Sequence, residues 1–303
     1  MMFGGIEVGG TKCVCGTSDD SSEIDQIITF PTTTPEDTIQ RALDFFVECG
    51  PIAALGIGSF GPIDFNPSSP AWGHITATPK PGWTDVDLVS PFANEFNVPV
   101  AFDTDVNAAA LGEWTRGAAA GLDVLCYVTV GTGIGGGVLL HGDPLHGLLH
   151  PEIGHIRIPH DFDIDPFEGS CRFHGDCLEG LASGEALRRR WGLPAEELAD
   201  QFVWELEADY LALGLANIVC ALSPEMIVLG GGVIRHHGLI EMVRERVVRF
   251  LADYVRVPAF ISPGAMVEYL VLPGLGDRAG LHGALELAKR TYERPTLLTG
   301  VAR

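Results

Sequence analysis

The chain has 303 residues, 46% of them hydrophobic, and a formal charge of −21, which is room for two domains with sizeable cores. That acidity excludes a nucleic-acid surface, which needs clustered Lys and Arg to displace counterions, and no run of about 18 apolar residues suits a membrane span. The chain opens without a basic stretch and an apolar leader, and its seven cysteines are an odd number scattered over apparent strands and helices, so reduced thiols in a cytoplasmic protein are expected. The acid-rich, lysine-poor surface reads as a device for solubility, with adaptation to salt as the second reading.

In chain order, "GIEVGG" and "KCVCGT" read as two strands around a Gly-Gly-Thr-Lys bend, followed by a polar stretch. "TTTPEDTIQRALDFFVEC" reads as an amphipathic helix, with Thr34 as N-cap, Pro35 at the first helical position, Asp37 three residues after the cap, and Ile39, Leu43, Phe46 and Val47 on the apolar face. "IAALGIGSFGPID" is a buried strand running into a Gly/Pro loop, and "VPVAFDTDVNAAALGEW" is a strand feeding a helix rich in Ala and Leu. From Asp123 the pattern restarts with "DVLCYVTVGTGIGGGVLLHG", again strand, glycine bend, strand. Two such hairpins, more than 100 residues apart, point to two related α/β units flanking a central cleft. Two unrelated glycine-rich hairpins are the competing reading. Farther on, the stretch from Ala195 to Ser223 is mainly helical, "EMIVLGGGV" is a strand ending in three glycines, and "IRHHGLIEMVRERVVRFLADYV" is helical after its first residues. "VEYLVLPG" is a last strand and "DRAGLHGALELAKRTY" a last helix, with a loose tail beyond about Arg294.

The phosphate-loop pattern GxxxxGK[ST] is missing, and a strand rather than a helix follows "GGTK". A hairpin bend can still bind phosphate, because glycines let backbone N–H groups approach an anion and the Thr11 hydroxyl adds a donor. Gly9, Gly10, Thr11 and Lys12 on one hairpin, and Gly131, Thr132 and Gly133 on the other, are candidates to clamp a triphosphate. Glu7, beside the first bend, suits Mg²⁺, which prefers oxygen ligands. A dehydrogenase reading of "GTGIGGG" is weak, since no helix follows it.

Glu7 to Lys12, Thr129 to Gly137 and Leu229 to Gly232 resemble the phosphate-1, phosphate-2 and adenosine segments of the hexokinase, actin and heat-shock ATPase fold. With "PEIGH" and the Cys cluster after it, the set resembles the ROK sugar kinases, in particular their bacterial fructokinase branch, from about residue 3 to 290. The resemblance implies two ribonuclease-H-like domains. The smaller would cover residues 1–113, with the helix at about 278–293 packed back on it, and the larger residues 114–303 with a zinc loop. It adds Gly230, Gly231 and Gly232 to the ATP-binding residues, and implies ATP, a small-molecule sugar and a homodimer. One departure is Glu7, where the family pattern is usually written with Asp.

Phosphoryl transfer needs an aligned hydroxyl, neutralised phosphate charge and a base. Asp103 and Asp105 both qualify on chemistry. The resemblance makes Asp105 the catalytic base and Asp103 a supporting, sugar-side residue, while a helix N-cap is the alternative role for Asp105. It also makes Asn107, Glu152, His155 and Glu179 sugar-binding. "GSFGPID" and "TPKPGW" are expected to shape the small-domain wall, with Lys80 given no definite role there and Trp83 either a sugar contact or a packed surface aromatic. "CRFHGDC" spaces Cys171, His174 and Cys177 for a metal, and His155 completes a closed tetrahedral zinc set, with His160 as a spare. Free thiols and incidental histidines are the other reading. The histidine inside that cluster matches the fructokinase branch rather than the glucokinases, which points to phosphorylation of fructose, with glucose, mannose or an amino sugar as alternatives. A non-catalytic sugar sensor is a further reading. A sugar-responsive repressor would carry a helix-turn-helix ahead of the first hairpin, where two residues precede Phe3.

Overall fold

A computed structural model describes residues 1–19, 23–262 and 264–294; the tail expected beyond Arg294 lies outside them. The regular elements begin with β1 (Phe3–Val8), β2 (Lys12–Ser18), β3 (Gln26–Pro31), α1 (Pro35–Cys49), β4 (Ala54–Ser59), β5 (His74–Ile75), β6 (Val86–Asp87), α2 (Ser90–Phe96), β7 (Val100–Thr104) and α3 (Asp105–Arg116). They continue with β8 (Val124–Val130), β9 (Ile134–Leu140), β10 (Asp143–Pro144), α4 (Leu178–Ala182), α5 (Gly184–Trp191), α6 (Gln201–Leu222), β11 (Met226–Gly230), α7 (Leu239–Leu251), β12 (Leu270–Val271) and α8 (Ala279–Glu293). Two compact units divide the chain: Met1–Gly121 with Gly142–His150 and Gly274–Arg303, and Leu122–His141 with Pro151–Pro273.

In the first unit the sheet order is β3-β2-β1-β4-β7. β1 and β2 form an antiparallel hairpin, while β1, β4 and β7 run parallel, with Glu7 opposite Gly58 and Gly58 opposite Asp103. That register brings the C-terminal ends of three strands together, where open α/β sheets place their chemistry. The second unit repeats the plan: β8 and β9 are an antiparallel hairpin, and β8, β11 and β12 are parallel.

Several local expectations shift. Asp37 N–H donates to Thr34 Oγ1 at 3.3 Å, so the α1 cap stands, but the buried face is Pro35, Thr38, Ala42 and Phe46, and Val47 is 60% exposed. The polar stretch before α1 contains strand β3, whose sole buried residue is Phe30; such an edge strand carries no in-out alternation to betray it. Helix α7 stops at Leu251, short of the expected end, because Ala252 and Asp253 both take left-handed backbone angles. The last strand shrinks to two residues between a short turn at Ala265–Val267 and Pro273, which has no N–H for a ladder.

Helix α8 returns to the first unit, packing on β1 and β4 and crossing α3. Glycines let the backbones touch. A Cβ at Gly283 would fall 1.6 Å from Ala108 O, one at Gly112 2.2 Å from Ala279 O, and one at Gly56 1.9 Å from Ala284 O. Gly283→Ala must therefore force α3 and α8 apart, costing roughly 1–3 kcal/mol or more in urea denaturation. Gly147→Ala, where the new Cβ meets nothing nearer than Leu149 O at 3.9 Å, should stay within about 0.5 kcal/mol of the parent.

Candidate active site

The first bend is tied down by its carbonyls. Gly9 N–H donates to Lys12 O at 2.9 Å, closing the hairpin, and Thr32 N–H donates to Thr11 O at 2.9 Å. Thr32 Oγ1 donates to Gly9 O at 2.8 Å. Lys80 Nζ donates to Gly10 O at 2.7 Å and to Thr32 O at 3.2 Å.

Glu7 leaves β1 just before this bend, and its carboxylate lies against Gly280 in the first turn of α8, where a Cβ would fall 2.4 Å from the carboxyl carbon. Burial, and then the negative charge of Asp105, push the Glu7 carboxyl up to about 7 against the pull of Lys12 and the Leu281 N–H. Its Oε2 is buried with no hydrogen-bond partner among the described residues. Asp105 opens α3. The N-cap is Thr104, whose Oγ1 accepts the Asn107 N–H at 3.1 Å, so the capping role considered for Asp105 belongs to its neighbour. Asp105 Oδ1 accepts the Val106 N–H at 2.9 Å, yet burial still lifts its carboxyl to about 6.

Asp103 and Asn107 are 3% and 1% exposed. Asn107 Nδ2 donates to Asp103 Oδ1 at 2.7 Å, and Asn107 Oδ1 is buried without a partner among the described residues. His146, which sequence reasoning did not single out, joins them: its Nε2 lies 3.0 Å from Asp103 Oδ2, and its ring stacks on Phe65 at 4.3 Å. Burial pulls the imidazole down, but the hydrogen bond and charge of Asp103 outweigh it and the net direction is upward. The signal in the sequence was "LHGLLHPEIGH", whose three histidines cluster before and within the quoted "PEIGH". Trp83, expected on the sugar wall or as a surface aromatic, is neither: it is fully buried, edge-on to Phe60 at 5.2 Å, with Nε1 donating to Thr33 O at 2.9 Å.

In the second unit the other bend closes through Gly131 N–H to Gly133 O at 2.9 Å, and Gly131 O accepts the Gly184 N–H at 2.8 Å at the start of α5. Thr132 O accepts the Glu185 N–H at 3.3 Å. Glu179 Oε2 accepts the Ile134 N–H at 3.0 Å and lies 2.6 Å from where a Gly133 Cβ would be, while its Oε1 is 4.0 Å from His155 Nδ1. Gly231 takes φ +97°, and a Cβ there would fall 2.2 Å from Val130 O, which sets the Gly230–Gly232 segment beside this second bend. Glu152 is exposed and precedes a short turn, its carbonyl accepting the His155 N–H at 3.0 Å.

The ligand atoms of His155, Cys171, His174 and Cys177 lie within 4.8 Å of one another. His155 Nδ1 is 3.5 Å from Cys177 Sγ and 3.8 Å from Cys171 Sγ, and Cys171 Sγ is 3.6 Å from His174 Nδ1. The spare candidate His160 is elsewhere, its Nε2 2.9 Å from Asp165 O.

A family model described as the ROK family matches residues 3–291. The chain belongs to the ROK family. A fructokinase of Zymomonas mobilis subsp. mobilis is 45% identical over 296 residues, covering 95% of this chain and 96% of that one. A fructokinase of Pediococcus pentosaceus is 40% identical over 290 residues, covering 95% and 98%. Among solved structures, a ROK hexokinase from Thermus thermophilus matches with a TM-score of 0.78 at 30% identity, covering 97% of this chain and 99% of that one. The fold is thus the ROK fold, mixed α/β with two mixed sheets of the actin-like ATPase type. No helix among the described residues is long and apolar enough to cross a membrane.

The Asp105 carboxyl sets a stability test. An unfolded chain ionises it near pH 3.9, the folded chain near 6, so folding stability falls as pH rises between those values and the loss is complete above them. Asp105→Asn removes this loss. Its stability relative to the parent should improve by about 2–3 kcal/mol between about pH 4 and pH 8 in urea titrations; an equal difference at both pH values would refute the buried charge.

Proposed function

We propose that this protein is an ATP-dependent fructokinase, converting D-fructose to fructose 6-phosphate with Asp105 as general base. The observation that carries the reading is the Asp105 carboxyl, lifted to about 6 by burial beside Glu7 at the ends of the parallel strands. The two fructokinases of 45% and 40% identity favour fructose as the sugar.

Asp105 takes the proton of the sugar's C6 hydroxyl as that oxygen attacks the γ-phosphorus. The bond to the β-phosphate bridging oxygen breaks, and ADP leaves with the electron pair. The bends at Gly9–Lys12 and Gly131–Gly133 offer backbone N–H groups to the phosphates, Thr11 and Thr132 add hydroxyls, and Gly230–Gly232 accepts the nucleoside side. Asp103, Asn107, Glu152, His155 and Glu179 bind the sugar hydroxyls. Because His155 Nδ1 faces the two sulfurs, Nε2 is the atom left for the sugar.

Two metals fit the residues present. Glu7 Oε2, buried and unpartnered among the described residues, is a hard oxygen donor suited to Mg²⁺ directly or through its waters. Bound there, Mg²⁺ would neutralise charge on the transferring phosphoryl group. A tetrahedral zinc with two sulfur and two nitrogen ligands sets S···N separations of about 3.6 Å, and three of the S···N pairs lie at 3.5, 3.6 and 3.8 Å within a set spanning no more than 4.8 Å. Four protein ligands leave no open position, so a zinc held by His155, Cys171, His174 and Cys177 would be structural, and by fixing His155 and Cys177 it would steady the segment that carries Glu179.

Coupled ADP release with fructose, glucose, mannose and N-acetylmannosamine tests the assignment: fructose should give the highest kcat/KM, and a higher value for any other sugar would reassign the substrate within the family. Asp105→Asn should keep fructose binding but lose roughly 10²–10⁴-fold in kcat. With the base active when ionised, kcat/KM of the parent should fall as pH drops through about 6.

Metal analysis of protein purified without chelator should find one zinc per chain, and Cys171→Ser should lose it together with thermal stability. Zinc-free parent protein of unchanged melting temperature would remove this site.

A further inference from the structure

The motif "TPKPGW" has no place in the chemistry above, although its lysine reaches the first bend across 70 residues of sequence. Three consecutive carbonyls of that bend are each held by a donor: Gly9 O by Thr32 Oγ1, Gly10 O by Lys80 Nζ, and Thr11 O by Thr32 N–H. A trans peptide is planar, with its C=O and N–H on opposite sides. Holding these three carbonyls toward the protein therefore turns the N–H groups of Gly10, Thr11 and Lys12 the other way, as an anion-binding bend requires.

Lys80 is set by its own loop. Its backbone N–H donates to Thr78 Oγ1 at 3.3 Å and its carbonyl accepts the Trp83 N–H at 3.3 Å. Trp83 in turn is buried and bonded to Thr33 O, next to the Thr32 that holds the bend. Loop, bend and the entry to α1 are thus one hydrogen-bonded assembly, and Lys80 brings the sole formal charge among the donors that hold it. Hydrogen bonds from a charged donor are roughly twice as strong as neutral ones.

We propose that Lys80 is a positioning residue for the terminal phosphates of the nucleotide: through the Gly10 carbonyl it fixes the orientation of the peptide planes in the Gly9–Lys12 bend, and its ammonium adds positive charge beside the phosphates. The inference rests on the kinase reading for its ligand. Lys80 makes the bend selective for the polyphosphate.

The test is calorimetric titration with AMP-PNP and with AMP, in Mg²⁺ buffer, of the parent, Lys80→Met and Lys80→Arg, together with KM for ATP and for fructose. Lys80→Met should weaken AMP-PNP about tenfold and raise the KM for ATP to match, while AMP affinity and the KM for fructose stay within about twofold. Lys80→Arg, which keeps a charged donor, should recover most of the loss. If Lys80→Met fails to fold, Thr32→Val removes the donor to Gly9 O and should show the same selective loss. Equal weakening of AMP and AMP-PNP, an unchanged AMP-PNP affinity, or a raised KM for fructose alone would each overturn the proposal, as would a parent protein that does not bind AMP-PNP. A parent that binds AMP-PNP but phosphorylates no hexose sinks the fructokinase reading alone, and the titrations still decide the role of Lys80.

Discussion

Glu7 and Asp105 are two half-buried carboxylates close enough for the charge of one to raise the other, and part of the first unit is shaped around them. One sits near 7 and the other near 6, and Asp105 is itself a cause of the rise at Glu7. At neutral pH the pair carries both charges only at a cost in free energy, which a nearby cation offsets. The register that puts Glu7 opposite Gly58 and Gly58 opposite Asp103 brings Glu7 to the end of the sheet where β7 hands over to α3 at Asp105. Helix α8 then supplies the Leu281 N–H to Glu7 and, at Gly280, the space its carboxylate occupies. The last helix is therefore a wall of the site as well as part of the core, which explains glycines at positions where a helix interior otherwise disfavours them.

The second unit solves a different problem, that of holding a loop with little regular structure. Cys177 leads directly into α4, and two residues later Glu179 accepts the Ile134 N–H at the second bend. The same carboxylate faces His155 of the metal tetrad. A metal ion at the tetrad would fix His155 and Cys177 at once, and through α4 the carboxylate that supports the bend. A Cβ at Gly133 would fall 2.6 Å from Glu179 Oε2, so any side chain there would displace that carboxylate. The tetrad and the second glycine hairpin are in this sense linked, since Glu179 faces both.

What the sequence made legible was local. Both glycine hairpins, the Thr34 cap of α1, the strand-to-helix passage at "FDTDVN" and the four-ligand set around "CRFHGDC" rest on residues close in sequence or on a spacing that chemistry makes specific. The misreadings have physical sources. Thr104 and Asp105 are adjacent and both able to cap a helix, and sequence cannot say which oxygen reaches the Asn107 N–H. Trp83 follows Lys, Pro and Gly, a polar setting that suggests exposure, whereas Phe60 and Thr33 come from elsewhere to bury it. His146 meets Asp103 across 43 residues and Lys80 meets Gly10 across 70; no periodicity encodes such pairs.

The placement of charge completes the reading. The chain carries −21 and has just three lysines, so the field of the whole molecule repels a polyanionic nucleotide at long range. Salt screens that field beyond about 8–10 Å, and the outcome at the site is decided by the groups within contact distance. Two of the three lysines, Lys12 and Lys80, are at the first bend, one within it and one on the Gly10 carbonyl. In the kinase reading proposed above, backbone dipoles would do the remaining work, and they bear no net charge that an acidic protein would need to balance. An acidic chain can hold phosphate in this way with very few cations, provided that each peptide of the bend is fixed in orientation. The donors on the carbonyls of Gly9, Gly10 and Thr11 supply that orientation.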